Sequence, residues 1–293
     1  MQGMIFFSVL GLLIMSGLAT PNRGYAWGDV AHHVICEIAF QKLPPPARAE
    51  VRRLLGTELD PNFRRFANAC TWADHPRKRP REHYLNLPRT QMSVTAADQT
   101  CPLADICLLT AIESDTAVLK DPTASDADKL TALKFLGHWM DDLHQPLHIS
   151  FQDDRGGNEI GETGPCKNDL HAVWDTCLVT RGLGTQAASI VAALRAGLID
   201  TDRQAWIQGD IIAWADESYH ITLAPNVEYR VRVDGTCQYA ADNATFEAGE
   251  SKRKVTVNAH YIATHTPTVR SRLLKAGVRL GYVLNGLFGA TEE

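Results

Sequence analysis

The stretch ADKLTALKFLGHWMDDLHQPLH, residues 127–148, combines a strong helical pattern with an unusual density of His and Asp. Its apolar residues recur at helical spacing through Leu143, and Pro146 ends the pattern. His138 and Asp142 stand four residues apart, so a helix projects both from one face. His148 follows the Pro break, where a turning chain can carry it back toward other polar groups.

The pattern outside this stretch is also mostly helical. Residues 30–41 read as a helix that stops before Pro44-Pro45-Pro46, and 47–56 and 62–73 as short helices. Residues 77–88 form a basic, Pro-punctuated loop. Residues 106–119 are a second strongly amphipathic helix, separated from the first by Pro122. The Gly-rich, charged segment 151–167 reads as a long loop, of a length often given to function. Helices are predicted over 169–181, 185–196, 203–222, 253–264 and 266–288. Strict alternation in Val227-Glu-Tyr-Arg-Val-Arg-Val, with Asp234-Gly235 as a turn, predicts a small β-hairpin over 227–239. No repeat or linker divides the chain. The expectation is all-α: a single mainly helical domain bearing one hairpin.

The N-terminus reads as an export signal. Residues 5–19 are an apolar run too short for a spanning helix, and Gly24-Tyr25-Ala26 places small residues where a signal peptidase reads. The absence of an early Lys or Arg would also suit a retained anchor; the small-residue site favours cleavage. A signal peptide over 1–26 would leave a domain over 27–293. Cleavage creates a free α-amine on Trp27, one helical turn from His32. An amine, its own carbonyl and an imidazole form a metal site that exists only after processing.

Composition narrows the partners. The 293-residue chain has a formal charge of −5, and removing the signal takes this to −6, because Arg23 is the only charge lost. An acidic protein is a poor nonspecific nucleic-acid binder, unless bound divalent metals invert the charge of one cleft. No second apolar run is long enough to span a bilayer. The seven cysteines of an exported chain read first as disulfides. Cys101/Cys107 and Cys166/Cys177 are close enough for local bridges, and Cys36/Cys70 is a candidate tie between the first helix and the segment before Asp74. Cys237 is the odd one, and the sequence does not settle connectivity. With no C-x-x-C pair, thiolate zinc is the weaker reading. Asn243-Ala-Thr245 is a glycosylation sequon, meaningful only in a eukaryotic secretory pathway.

Four motifs carry the chemistry: Trp27-Gly-Asp-Val-Ala-His32; Trp72-Ala-Asp74-His-Pro-Arg77 with His83-Tyr84-Leu-Asn86; His138 through His148; and Asp169-Leu-His171-Ala-Val-Trp-Asp175. His171 and Asp175 repeat the i,i+4 arrangement of His138 and Asp142. Mixed His and Asp ligation without thiolate suits Zn²⁺, and also Mn²⁺ or Fe²⁺. One His-x-x-x-Asp pair is ordinarily a surface contact. Two such pairs together with Asp74, His83, His148 and a processed Trp27/His32 are hard to obtain by chance. His33, His75, His220, His260 and His265 are set aside as ordinary histidines, and His144 as at most a support for neighbouring ligands. The 77–81 cations read as a solvated loop, and Trp72, Trp139 and Trp174 as core.

On these motifs, with Asp154-Arg-Gly-Gly-Asn158 and Ala276-Gly-Val-Arg-Leu-Gly-Tyr-Val-Leu-Asn285, the chain resembles the secreted zinc-dependent single-strand nucleases of the S-one/P-one type over nearly its whole mature length. The resemblance implies three zinc ions. Asp74, His83, His138 and Asp142 would hold one. The amine and carbonyl of Trp27, with His32, would hold a second, bridged by Asp142. His148, His171 and Asp175 would hold the third. It further implies hydrolysis of single-stranded DNA and RNA to 5′-mononucleotides, and 3′-nucleotidase activity. Asp74 would orient or deprotonate the attacking water and Arg77 would stabilise the phosphoryl oxygens. Tyr84 would stack on a base and Asn86 would hydrogen-bond it. A secreted or periplasmic monomer without stable membrane association is expected. Two departures stand out: Ala31 replaces a common Gly, and the Asp74–His83 interval is shorter than in the fungal enzymes, which leaves base preference open. The alternative is the cousin zinc phospholipase C of bacteria, acting on phosphatidylcholine-type lipids. That family spaces its first His further from the Trp and ends its last pair in Glu.

Overall fold

A computed structural model describes residues 27–88, 90–152, 154–166, 169–227, 231–233, 236–238 and 254–289. The signal segment 1–26, the Asp234-Gly235 turn, the sequon at Asn243 and the side chain of Cys237 lie outside the described residues.

The architecture is a helical bundle with short strands at its loops. Helices α1 (Asp29–Lys42), α2 (Pro45–Leu55) and α3 (Phe66–Ala69) are followed by α4 (Leu108–Lys120) and α5 (Asp126–Asp142). Then come α6 (Leu170–Gly182), α7 (Ala187–Ala196), α8 (Asp200–Trp206), α9 (Ile211–Thr222) and α10 (Ala259–Phe288). The strands are β1 (Leu85–Leu87), β2 (Ile149–Phe151), β3 (Gly161–Thr163), β4 (Val231–Val233), β5 (Thr236–Gln238) and β6 (Lys254–Thr256). The mainly helical single domain is as expected. The hairpin is present as antiparallel β4–β5, with Val231 opposite Gln238.

Local chemistry sets the helix starts. The Ser125 Oγ accepts from Asp128 N ahead of α5, Asp210 Oδ1 from Ala213 N ahead of α9, and Asn258 Oδ1 from Tyr261 N ahead of α10. The long α10 lies against α1. Gly277 makes that approach close: a Cβ there would stand 2.7 Å from Ile38. Leu273, Leu280 and Leu284 on α10 and Ile35 and Ile38 on α1 are fully buried.

Five segments differ from the sequence reading, one being the 151–167 loop, whose residues 161–163 form β3. Residues 62–73 are not continuous helix but pieces: a 3₁₀ turn at Pro61–Phe63, then α3, then a 3₁₀ turn at Trp72–Asp74. The breaks turn Asp74 inward. The 77–88 loop contains β1, which pairs in parallel with β2 in the register Leu85↔Ile149. Pairing with a distant segment leaves no local signal. The 203–222 helix is two, broken at Gly209 (φ +82°), where Asp210 caps a new start. Residues 253–264 begin not as helix but as β6, parallel to β3, and the remainder joins 266–288 in one helix running through Pro267. Pro267 removes one i→i−4 bond and its ring crowds the carbonyl of Ala263, yet the helix continues through it, with Val269 and Leu273 buried just beyond.

Candidate metal centre

Three segments meet at the inner end of α5. His138 and Asp142 point from its buried face, with His138 Nε2 3.2 Å from Asp142 Oδ2. The parallel β1–β2 pair brings in two more imidazoles, because His83 precedes β1 by two residues and His148 immediately precedes β2. The third segment is α6, whose N-terminus is capped by Asp169 accepting from Ala172 N at 2.8 Å. Its Val173–Cys177 stretch is π-helical, and His171 Nε2 lies 3.2 Å from Asp175 Oδ2.

The potential ligand atoms form three neighbouring sets, the first two sharing His138: His32 with His138 and Asp142, Asp74 with His83 and His138, and His148 with His171 and Asp175. Within each set the atoms lie within 4.8 Å of one another. Asp142 joins them. Its Oδ2 is 3.2 Å from both His83 Nδ1 and His138 Nε2, and its Oδ1 is 3.8 Å from His32 Nε2 and 3.4 Å from His148 Nδ1. His148 Nε2 stands 3.5 Å from Asp175 Oδ1. Ligands about 2.0–2.1 Å from one tetrahedral ion stand roughly 3.3 Å apart, close to several of these separations.

The hydrogen-bond inventory calls for cations. His138 Nδ1 donates to Cys70 O at 2.6 Å, His83 Nε2 to Lys78 O at 2.9 Å, and His171 Nδ1 to Gly156 O at 2.7 Å. In a neutral ring the opposite nitrogen is then a lone pair. With both rings neutral, His83 Nδ1 and His138 Nε2 face each other at 3.0 Å as two acceptors. His32 Nε2, Asp74 Oδ1, both Asp142 oxygens, His148 Nδ1 and Asp175 Oδ2 are buried without a hydrogen-bond partner. Six such atoms converging on one volume would be costly unless cations occupied it.

Electrostatics favour the ligating form at four of the imidazoles and at Asp142. Burial holds His32, His83, His148 and His171 below the usual imidazole range, so they favour the neutral, ligating form. Burial acts the same way on His138, but Asp142 and Asp74 outweigh it and raise that ring. Burial would raise Asp142; His138 and His148 overcome it and hold the carboxyl well below its usual range. Burial pushes Asp175 up to about 7.

The remaining predicted residues have definite places. Trp27 is fully buried, its Nε1 donating to Asp141 O at 2.9 Å, and Gly28 N donates to Asp175 O at 3.0 Å. These contacts seat the Trp27 backbone between α5 and α6. Arg77 is exposed, yet its charge lowers His83, His148 and His171, so it stands beside the cluster. Tyr84 and Asn86 line a cleft of about 400 Å³ whose outer wall is the Cys101–Cys107 loop. A larger groove, about 610 Å³, lies between α9 and α10 and contains none of the predicted residues. The three disulfides are Cys36–Cys70, Cys101–Cys107 and Cys166–Cys177. Cys36 and Cys70 lie near Asp141 but are spent in a disulfide, so they offer no thiolate there.

Three supports were missed in the sequence. Asp141 Oδ2 lies 2.9 Å from His32 Nδ1. Gln145 Nε2 donates to Asp175 Oδ1. Asp154 Oδ1 accepts from Gly157 N at 3.0 Å and holds the loop whose Gly156 carbonyl fixes His171. Asp141 and Gln145 lie inside the His138–His148 motif and Asp154 opens the Asp154–Asn158 motif, but nothing local marks their roles. His144 faces away from the cluster, donating from Nδ1 to Met140 O at 2.8 Å and meeting Arg279. The loop cations are less solvated than expected: Arg79 pairs with Asp115 and Glu82 and lies over Phe135.

Comparison with known proteins points one way. The S1/P1 nuclease family model matches residues 27–289. The chain is 29% identical to Endonuclease 3 of Arabidopsis thaliana, over 97% of this chain and 96% of the relative. It is 29% identical to Nuclease S1 of Aspergillus oryzae, over 66% of this chain and 71% of that one. Nuclease P1 of Penicillium citrinum is 27% identical, over 64% and 74%.

Proposed function

The chain belongs to the S1/P1 nuclease family, and on that premise we propose that it is a trinuclear zinc enzyme cutting single-stranded DNA and RNA to 5′-mononucleotides and removing 3′-phosphates from nucleotides. Phosphodiester hydrolysis follows from the family, and the lipid-cleaving alternative finds no relative among the matches. The observation that carries the metal reading is the set of six buried, unpartnered ligand atoms around Asp142.

Asp74, His83, His138 and Asp142 would hold one zinc. His32, Asp142 and the freed amine and carbonyl of Trp27 would hold a second. His148, His171 and Asp175 would hold the third. When bound, such ions acidify water and neutralise charge on phosphoryl oxygens.

The chain's own residues do the rest. Asp74 Oδ1 faces the cluster unpartnered and is placed to orient the attacking water or take its proton. Arg77 donates to the non-bridging oxygens as negative charge builds on them. Water oxygen bonds to phosphorus, the P–O3′ bond breaks, and O3′ leaves as a hydroxyl. Tyr84 offers a stacking face and Asn86 an amide for the base edge. A base on Tyr84 has left any duplex stack, which costs a few kcal/mol and favours single strands.

We also propose that residues 1–26 are removed, that 27–293 is the nuclease domain, and that it acts as a monomer in a secreted or periplasmic setting. The family match starting at Trp27 supports the domain boundary, and the three disulfides suit an exported setting. No single described helix is long and apolar enough to cross a membrane.

The test is incubation of the protein beginning at Trp27 with single-stranded DNA, with and without chelator, and identification of the products. Chelator-sensitive release of 5′-mononucleotides is expected. A folded, zinc-loaded sample that cuts phosphatidylcholine and leaves DNA and RNA intact would overturn the proposal.

A further inference from the structure

The chain between Asp142 and His148 leaves α5 and turns through Pro146 while fully buried. Carbonyls at a helix end have no intrahelical donor, and a buried one must find another. Three are satisfied from other helices. Ser218 Oγ donates to Leu143 O at 2.5 Å, Arg272 Nε to His144 O at 3.1 Å, and Thr222 Oγ1 to Pro146 O at 2.5 Å.

The donors are themselves anchored. Ser218 and Thr222 lie one turn apart on α9 and are fully buried, and Arg272 is 2% exposed. Arg272 Nη2 donates to Ser218 Oγ at 2.6 Å, and its Nη1 to Glu217 Oε2 at 2.8 Å. Arg279 bonds both Glu217 oxygens and donates to His144 Nε2 at 3.1 Å. α9 and α10 thus grip this bend through its carbonyls and through His144. None of the three donors is among the predicted ligands.

We propose that Ser218, Thr222 and Arg272 are positioning residues, which set how far His148 reaches from Asp142 and thereby build the His148/His171/Asp175 position. The inference rests on the metal-centre reading above. His148 sits between two carboxylates, 3.4 Å from Asp142 and 3.5 Å from Asp175. A bend freed at Pro146 moves that ring relative to both. Direct partners of metal ligands typically change affinity by about 10–100-fold, and donors acting one step further out, on the backbone that carries His148, are expected at the lower end of that range.

Thr222→Val is the sharpest probe, because it removes the hydroxyl and keeps the shape. The protein beginning at Trp27 is loaded with zinc and dialysed against graded chelator, and metal per folded chain is measured by elemental analysis. Thermal unfolding of the metal-free proteins is recorded alongside. Thr222→Val is expected to weaken one metal equivalent at least about tenfold while the others stay bound, and Thr222→Ser is expected to retain all of them. Ser218→Ala gives the same selective loss if Thr222→Val does not fold. Unchanged metal affinity with only a lower metal-free Tm would overturn the proposal, as would equal loss in Thr222→Ser. If the wild type holds zinc but cuts no nucleic acid, the nuclease reading fails and this proposal is still decided by the metal count. A wild type that binds no zinc overturns both.

Discussion

His32 Nδ1 and Asp141 Oδ2 meet at 2.9 Å with both side chains fully buried. The contact fixes the imidazole so that Nε2 faces Asp142 and the cluster. Burial, reinforced by the neighbouring Asp142, pushes the Asp141 carboxyl well above its usual range, so its ionised form is costly and the His32 ring is the partner that offsets that cost. Asp141→Ala is expected to weaken zinc at the His32 position about 10–100-fold. Competition with a chelator measures this, and an unchanged affinity would remove Asp141 from the site.

A methionine placed ahead of Trp27 tests the processed terminus. The indole's bond to Asp141 O does not use the terminal amine, so that anchor survives the addition. One zinc and most activity are expected to be lost, with unfolding little changed. Full zinc content in that protein would rule out the terminal amine as a ligand.

Gly156 holds φ +66°, and a Cβ there would lie 2.8 Å from Leu147 O and 3.4 Å from His171 Nδ1. Its carbonyl is the acceptor that orients His171. Gly156→Ala should cost about 1–3 kcal/mol in stability and loosen metal at His171. Denaturant unfolding of the metal-free protein separates the two effects, and stability equal to wild type would refute the strain argument.

Glu217 gives a pH signature away from the metal ligands. Burial opposes its ionisation, but Arg279, Arg272 and Lys275 overcome it and hold the carboxyl at about 2, below its ordinary 4.5. A depressed carboxyl stabilises the fold fully above the unfolded value, and the contribution fades as pH falls from about 4.5 through about 2. The side chain is 36% exposed, so solvent screening reduces the size of the effect. The unfolding difference between wild type and Glu217→Gln, measured with chelator present, should be flat above pH 4.5 and shrink below it. A difference that persists undiminished to pH 2 would contradict the assignment.

Helices α1, α2, α4, α5 and α7 were legible because each keeps a 3.6-residue apolar period between local stop signals. The β4–β5 hairpin was legible from alternation. The ligand pairs were legible because i,i+4 spacing on a helix is itself a geometry: His138/Asp142 and His171/Asp175 each meet at 3.2 Å. Strands β1 and β6 were not, since each pairs in parallel with a segment far away in the chain. The break at Gly209 had a local signal, the Gly-Asp start of α9, hidden within an otherwise helical period.

What the sequence determined by itself is therefore the inventory: which residues can ligate, on which helix faces they project, and that the chain is mainly helical. Local steric and hydrogen-bonding rules suffice for that. Tertiary structure alone decided that Asp142 lies beside His32 and His83, that Asp141 rather than His144 supports a ligand, and that α9 and α10 hold the bend before His148. Those facts depend on contacts between segments more than fifty residues apart, where packing, and not spacing along the chain, sets the distance.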